Sequence, residues 1–386
     1  MSEINPKYLR LFEAVRGKFP GDGFVPLHAP VFAGREKEYL IECIDSTFVS
    51  SVGAFVDRFE QMMADITGTR YAVATMNGTA ALHMALIVSG VKDGDEVITQ
   101  PLSFVATCNA IAYQRAHPVF VDVDRDTLGL SPEALQDFLE TRCEIRGGQC
   151  INKESGRRVG AVVPMHTFGL AARIEEIIEI AGRWKIPVIE DAAEALGSVW
   201  HGKKLGSFGV LGAFSFNGNK IVTSGGGGCI VTDSSELAKL AKHLTTTAKI
   251  PHSWEFFHDQ VGYNYRLPNI NAALACAQLE QLDGFLLKKR ELANYYANFC
   301  KANEIAFVDE PEGGASNYWL NAILVDRPEE RDILLAAATE KNLMMRPVWK
   351  LMTELPAFEY AERGDLKNSA WVQARLINLP SSVPAI

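Results

Sequence analysis

Short apolar stretches alternate with helix-like stretches over the first two thirds of the chain, and this alternation restricts the fold more than any other feature. "RYAVATM" (70–76), "DEVITQP", "HPVFVDVD", "RVGAVVPMH", "IPVIEDA", "GAFSFN" and "GCIVTD" read as strands. Between them, "TAALHMALIVSG" (79–90), "SFVATCNAIAYQ", "SPEALQDFLETR", "RIEEIIEIAGRW" and "SELAKLAKHLTTT" read as helices. Continuous apolar strands separated by helices predict an α/β fold around a mostly parallel sheet. The pattern weakens after about residue 265, which predicts a second, smaller α+β domain. We divide the chain at 1–265 and 266–386. Residues 269–303 read as one long helical region, and residues 1–30 as a segment packing across the second domain or a partner subunit. The polar, glycine-bearing stretch 143–160 reads as an exposed loop.

A chain of 386 residues can bury a large core. Its net charge of −9 supplies no overall field for nucleic acid. The seven cysteines are odd in number and form no C-x-x-C pair, so reduced thiols fit better than disulfides or a zinc site. No apolar run approaches the ~20 residues that span a bilayer. The N-terminal "MSEINPKYLRLFEAV" has no apolar core of a signal peptide. A cytoplasmic protein is expected, with no metal.

In open α/β sheets ligands gather at the carboxyl ends of the strands. Three polar features fall there. Asn77-Gly78-Thr79 joins a strand to a helix start, which is either a plain N-cap or an anion site. Asp191 ends an apolar strand, where a carboxylate needs a partner or caps a helix. Lys220 follows "GAFSFN" and precedes four glycines; it is either a surface charge or an amine made nucleophilic by burial. The glycine run is a poor dinucleotide loop, because it enters a strand rather than a helix. Together the three features suit pyridoxal 5′-phosphate (PLP). A phosphate nest anchors that cofactor, an aspartate keeps its ring nitrogen protonated, and a lysine forms its Schiff base. Phe104, after another strand end, is either a core residue or a ring-stacking one.

The ordered motifs "NGTAAL", "PLSFVATCNAI", "PVFVDVD", "VVPMHTFG", "VIEDAAEALGS", "FSFNGNK…GGGG" and "GYNYRLPNINAAL" resemble the sugar aminotransferases of the DegT/DnrJ/EryC1/StrS family. The resemblance runs from "PVFAGREKEYL" to "INLPSS" (377–382). It implies a fold type I architecture, with a mostly parallel seven-stranded sheet between helices and a small C-terminal domain. It implies that Gly78, Thr79 and Ser215 hold the phosphate, that Phe104 stacks on the ring, and that Asp191 pairs with the ring nitrogen. It places Glu194 near the phenolic oxygen, where many relatives carry His or Gln, and makes Lys220 the catalytic amine. Asn264 would reach the phosphate of the neighbouring subunit, so an obligate homodimer is implied, while His166 and Arg346 would approach substrate. A related branch that dehydrates carries histidine in place of the lysine, so Lys220 points to transamination.

The implied reaction moves an amino group from L-glutamate to a keto sugar. The stretch from "TTAKIPHSW" to "ACAQLEQL" resembles the branch that aminates C4 of nucleotide-linked 4-keto-6-deoxy-N-acetylhexosamines for bacterial surface glycans. The expected acceptor is UDP-2-acetamido-4-keto-2,4,6-trideoxyglucose, on the route to UDP-N-acetylbacillosamine. The alternatives are a GDP-linked acceptor of the perosamine type, or a non-catalytic nucleotide-sugar-binding regulator on the same fold.

Overall fold

A computed structural model describes residues 4–384. Numbered in chain order, the strands of the large sheet are β1 (Tyr71–Thr75), β2 (Glu96–Thr99), β3 (His117–Phe120), β4 (Val159–Val163), β5 (Ile189–Asp191), β6 (Leu211–Ser215) and β7 (Gly228–Thr232). Their spatial order is β1-β7-β6-β5-β4-β2-β3. Only β7 runs against its neighbours β1 and β6; every other pairing is parallel. The join between β4 and β5 consists of two isolated parallel bridges, Val162 with Val188 and Met165 with Asp191. Pro164 and Pro187 lie in this join and have no N–H to give, so the ladder thins there. The carbonyls of both prolines still accept, from Asp191 N and Val162 N, which keeps Asp191 in register at the strand end.

β2 and β4 are buried along their whole length, as parallel strands covered on both faces must be. The covering helices include α3 (Ala54–Thr67), α4 (Gly78–Val88), α5 (Val105–Tyr113), α6 (Pro132–Arg142), α7 (Ile174–Arg183) and α8 (Ser235–Thr245). α6 begins at the Ser131 cap with Pro132 in its first turn, as the sequence predicts.

The 269–303 region is two helices rather than one. α9 (Asn269–Leu279) and α10 (Leu282–Ala302) are separated by Glu280 and Gln281. α9 packs on α3 and on α2 (Glu36–Asp45). α10 instead packs against α1 (Pro6–Lys18), where Tyr8, Leu11, Phe12 and Val15 meet Leu292, Tyr296 and Cys300. This core also holds a four-stranded antiparallel sheet of β8 (Ala306–Phe307), β9 (Asn321–Leu324), β10 (Arg346–Pro347) and β11 (Leu376–Leu379), in the order β8-β9-β11-β10. The N-terminal segment therefore does pack across the C-terminal region.

The stretch 143–160 is not an exposed loop. Cys143–Arg146 and Gln149–Asn152 form a hairpin turning at Gly147-Gly148, both with positive φ. Cys143, Cys150 and Asn152 are buried beneath it. The polar composition misleads because Asn152 is spent inside. Its Nδ2 donates to Glu96 Oε2 at 2.9 Å and to Glu362 Oε2 at 2.7 Å. Burial raises the Glu96 carboxyl above its ordinary value, and the nearby Glu362 charge adds to the rise. Such a group holds its proton longer when folded, so its contribution to stability falls as pH rises. Replacing Asn152 with Ala removes one hydrogen bond from each of two carboxylates, leaving Glu362 its Arg142 partner at 3.1 Å. Thermal or urea unfolding should show a loss of about 2 kcal/mol, growing as pH rises and the Glu96 carboxyl gives up its proton.

Candidate active site

The carboxyl ends of β1, β5 and β6 open into one cavity of about 310 Å³. Its wall includes Gly78, Thr79, Phe104, Thr107, Asp191, Glu194, Ser215 and Lys220. Every chemistry-bearing group read from the strand ends is thus brought together.

One wall is an anion cradle. The Asn77 side chain caps α4 by accepting from Ala80 N at 2.8 Å. The N–H groups of Gly78 and Thr79 lie in the first turn, where no intrahelical carbonyl is available, and both residues face the cavity. Ser215 closes the cradle from β6. The fit is tight: a Cβ on Gly78 would stand 2.7 Å from Ser215 Cβ. A Cβ on Gly228, the last of the four glycines, would stand 2.3 Å from the Asn77 carbonyl oxygen. The glycine run therefore serves the cradle from behind, by letting the helix start lie against β7.

Asp191 lies deeper and is almost fully buried. Thr107 Oγ1 donates to its Oδ2 at 2.7 Å, and Ala193 N to its Oδ1 at 3.2 Å. Ser103 Oγ in turn stands 2.8 Å from Thr107 Oγ1, so α5 orients the carboxylate.

Lys220 projects from the loop after β6. Its Nζ lies 3.2 Å from Glu194 Oε1 and 4.0 Å from the centre of the Trp319 ring. Glu194 also accepts from Phe168 N at 2.9 Å. That donor sits in strained backbone, since Phe168 has φ 58° without being glycine. Burial pushes the Glu194 carboxyl up, while the Lys220 ammonium and the Phe168 N–H pull it back.

Aromatic rings bound the remaining side. Phe104, half exposed at the mouth, meets Trp349 edge-on at 6.2 Å between ring centres, and Trp349 packs on Phe168 at 5.3 Å. Trp319 and Trp349 line the cavity, yet sequence reasoning passed over both. "YWLNAILV" falls in the stretch read only as a smaller α+β domain, and nothing local marks its tryptophan as facing a ligand. Thr107 was missed likewise, because its hydroxyl acts across 84 residues of chain.

Two residues expected near substrate are not in this lining, and Asn264, expected at a neighbouring subunit's site, is not in it either. His166 is fully buried and stands away from the cavity lining. Its Nδ1 accepts from Ala172 N at 3.2 Å, so the proton sits on Nε2, which donates to Glu190 Oε2 at 2.9 Å. Glu190 also accepts from the N–H groups of Gly206, Phe208 and Gly209, so His166 joins a structural network behind β5. The family resemblance implied an approach to substrate, but the side chain turns into the core. Arg346 is exposed on β10 and is not part of the lining; Trp349, three residues on, is. Asn264 is also outside this chain's own cavity, where its Oδ1 accepts from Arg266 Nε at 3.2 Å.

The residues present fit PLP. A cradle of two N–H groups and a hydroxyl suits its phosphate, a buried carboxylate suits its ring nitrogen, and a lysine lines the same cavity. When bound, the cofactor supplies an aldehyde for imine formation and an electron-withdrawing ring.

This architecture is that of a fold type I PLP-dependent aminotransferase. The DegT/DnrJ/EryC1/StrS aminotransferase family matches residues 31–384, and the chain belongs to it. It is 38% identical over 336 residues to the "putative pyridoxal phosphate-dependent aminotransferase EpsN" of Bacillus subtilis, covering 87% of this chain and 84% of that one. It is 36% identical over 361 residues to the GDP-perosamine synthase of Escherichia coli O157:H7, covering 93% of each. A solved DegT DnrJ EryC1 StrS aminotransferase from Brucella abortus superposes with a TM-score of 0.82 at 27% identity, over 90% of both chains. The protein is a PLP-dependent sugar aminotransferase.

Gly78→Ala should lower PLP affinity between tenfold and hundredfold, roughly the effect of forcing an extra methyl into a packed site. Titration of cofactor-free protein, followed by visible absorbance, measures it, and the melting temperature should move little.

Proposed function

We propose that this enzyme transfers the amino group of L-glutamate to C4 of a nucleotide-linked 4-keto-6-deoxy sugar, with Lys220 as the reacting amine. The observation that carries the reading is the Lys220–Glu194 pair at 3.2 Å, in the wall of a cavity that also holds the anion cradle. Gly78, Thr79 and Ser215 bind the phosphate, Asp191 pairs with the ring nitrogen, and Phe104 covers the ring at the mouth. Glu194 accompanies Lys220 as its counter-charge. Lys220 alternates between covalent anchor and free amine. As the free amine it would take the proton from the donor α-carbon; water would supply the keto oxygen of the departing 2-oxoglutarate, and the nitrogen would stay with the cofactor. The keto sugar then receives the nitrogen with Lys220 moving a proton in the reverse sense.

The acceptor we favour is UDP-2-acetamido-4-keto-2,4,6-trideoxyglucose, on the likeness of residues 246–282 to the branch that aminates such sugars. A GDP-linked 4-keto-6-deoxy sugar is the second reading. The E. coli relative named GDP-perosamine synthase favours it, at 36% identity over nearly the whole chain. Each enzyme form would be assayed with both sugars side by side, with glutamate as donor. Turnover of the UDP sugar with at least tenfold higher kcat/KM supports the first reading, and the opposite ratio selects the second.

Lys220→Ala should lose the visible band formed with PLP and all detectable transfer, with an unchanged melting profile. A variant that still turns over would sink the assignment.

The homodimer we propose completes each site with Asn264 from the partner. Asn264 lies outside its own cavity but directly follows the exposed stretch containing Trp254, Phe256, Phe257 and Val261. A cytoplasmic location is supported by seven free, buried cysteines, and no described helix is long and apolar enough to cross a membrane. Mixing Lys220→Ala with Asn264→Ala protein should restore activity, because one of the two hybrid sites carries both native residues. Two inactive parents that stay inactive when subunit exchange is demonstrated would exclude the shared site.

A further inference from the structure

We infer that Trp319, delivered by the C-terminal region, is the positioning residue for Lys220. The inference rests on Lys220 being the reacting amine. The Lys220 Nζ lies 4.0 Å from the centre of the Trp319 ring, well inside the range for cation–π attraction, and tryptophan is the strongest partner for it. A lysine side chain has about 2 kcal/mol of rotamer entropy. Glu194 alone offers it one contact, whereas the indole adds a surface along which the ammonium is held.

The indole itself is locked. Its Nε1 donates to Asn219 O at 2.7 Å, so the ring is bonded to the residue immediately before the lysine it supports. Trp319 N donates to Asn317 Oδ1 at 2.8 Å, and Trp319 O accepts from Lys289 Nζ at 2.8 Å. Lys289, wholly buried on α10, also donates to Ser381 O.

The same short segment also grips the other half of the pair. Asn317 Nδ2 donates to Glu194 O at 2.8 Å and to Leu196 O at 2.9 Å, and Asn317 N donates to Ser198 Oγ at 2.9 Å. Gly169 makes room for this: a Cβ there would fall 1.9 Å from Asn317 Oδ1. Residues 316–319 thus form a clamp with Asn317 on the Glu194 turn and Trp319 on the Lys220 loop. Neither residue is near the other two in sequence.

The titratable groups around Lys220 are few. Glu194 faces it from the turn after β5, with Asp191 behind. His28 from the N-terminal segment and Lys289 from α10 complete the set; His28 has both ring nitrogens buried without a hydrogen bond, and burial together with the two lysines disfavours its charged form. Glu194 and the Trp319 ring are the two groups in direct contact with the Lys220 Nζ. Removing the ring takes away its attraction for the ammonium and leaves Lys220 less well placed.

The test uses cofactor-free protein and the rate at which it combines with added PLP, read from visible absorbance across pH. This rate needs the neutral amine. In Trp319→Leu the pH midpoint should fall by about one unit, equivalent to a cation–π contribution that changes an equilibrium tenfold. Trp319→Phe keeps a ring but loses the bond to Asn219 O, and its midpoint should lie between. In the loaded enzyme, kcat should fall about tenfold in Trp319→Leu, with KM for glutamate little changed. A midpoint in Trp319→Leu equal to that of the native protein overturns the inference. If that variant does not fold, Trp319→Phe decides alone, and an unmoved midpoint overturns it. Failure of the underlying site reading looks different: Lys220→Ala would then still acquire the visible band.

Discussion

The contact on which this site depends is the buried pairing of Lys220 with Glu194. Neither charge could stay there alone, because an isolated ion in such surroundings would be neutralised or would unfold its environment. The pairing is costly to hold, and much of the nearby structure is given to holding it. Phe168 adopts a left-handed backbone to aim an N–H at the carboxylate. Asn317 fastens the turn that carries Glu194, and Trp319 supports the amine from the opposite side. A pair built this way holds the lysine side chain in one place in the cavity wall.

The sheet places the components at that point. Parallel strands send their carboxyl ends to one edge, so β1, β5 and β6 deliver the cradle, Asp191 and Ser215 to one cavity although they are distant in sequence. The prolines in the β4–β5 join weaken the ladder without shifting Asp191, since their carbonyls still accept. The antiparallel β7 follows from the same region. The chain leaves β6, turns past Lys220, and must return beside it, and glycines at the turn allow the α4 start to press against the returning strand.

The C-terminal region supplies what the sheet cannot. The sheet edge is polar, with hydroxyls, amides and a carboxylate. The aromatic side of the cavity, Trp319 and Trp349, arrives from beyond residue 300. A cavity with one wall of helix-start N–H groups and a hydroxyl and one aromatic wall suits a ligand that is charged at one end and carries a flat or sugar-like ring at the other. The half-exposed Phe104 stands where these walls meet the mouth.

Much of this was legible in the chain itself. The alternation of apolar strands with helices determined the large sheet, because two-sided burial requires continuous apolar strands. The turn "NGT", the strand-end aspartate and the lysine before the glycine run marked a cofactor site, since each needs its position relative to a strand end rather than to the others. Side-chain direction was not legible. His166 stands at a strand end like Asp191, yet it turns inward to Glu190, and only the packing behind β5 decides between the two. Asn152 looked like loop polarity and became a buried bridge, because Glu96 and Glu362 meet it from 56 and 210 residues away. Trp319 is the plainest case. Sequence determines that it sits in an apolar stretch; the tertiary structure alone decides that its ring lies under an amine 99 residues earlier, because a contact between such distant parts of the chain has no local pattern to read.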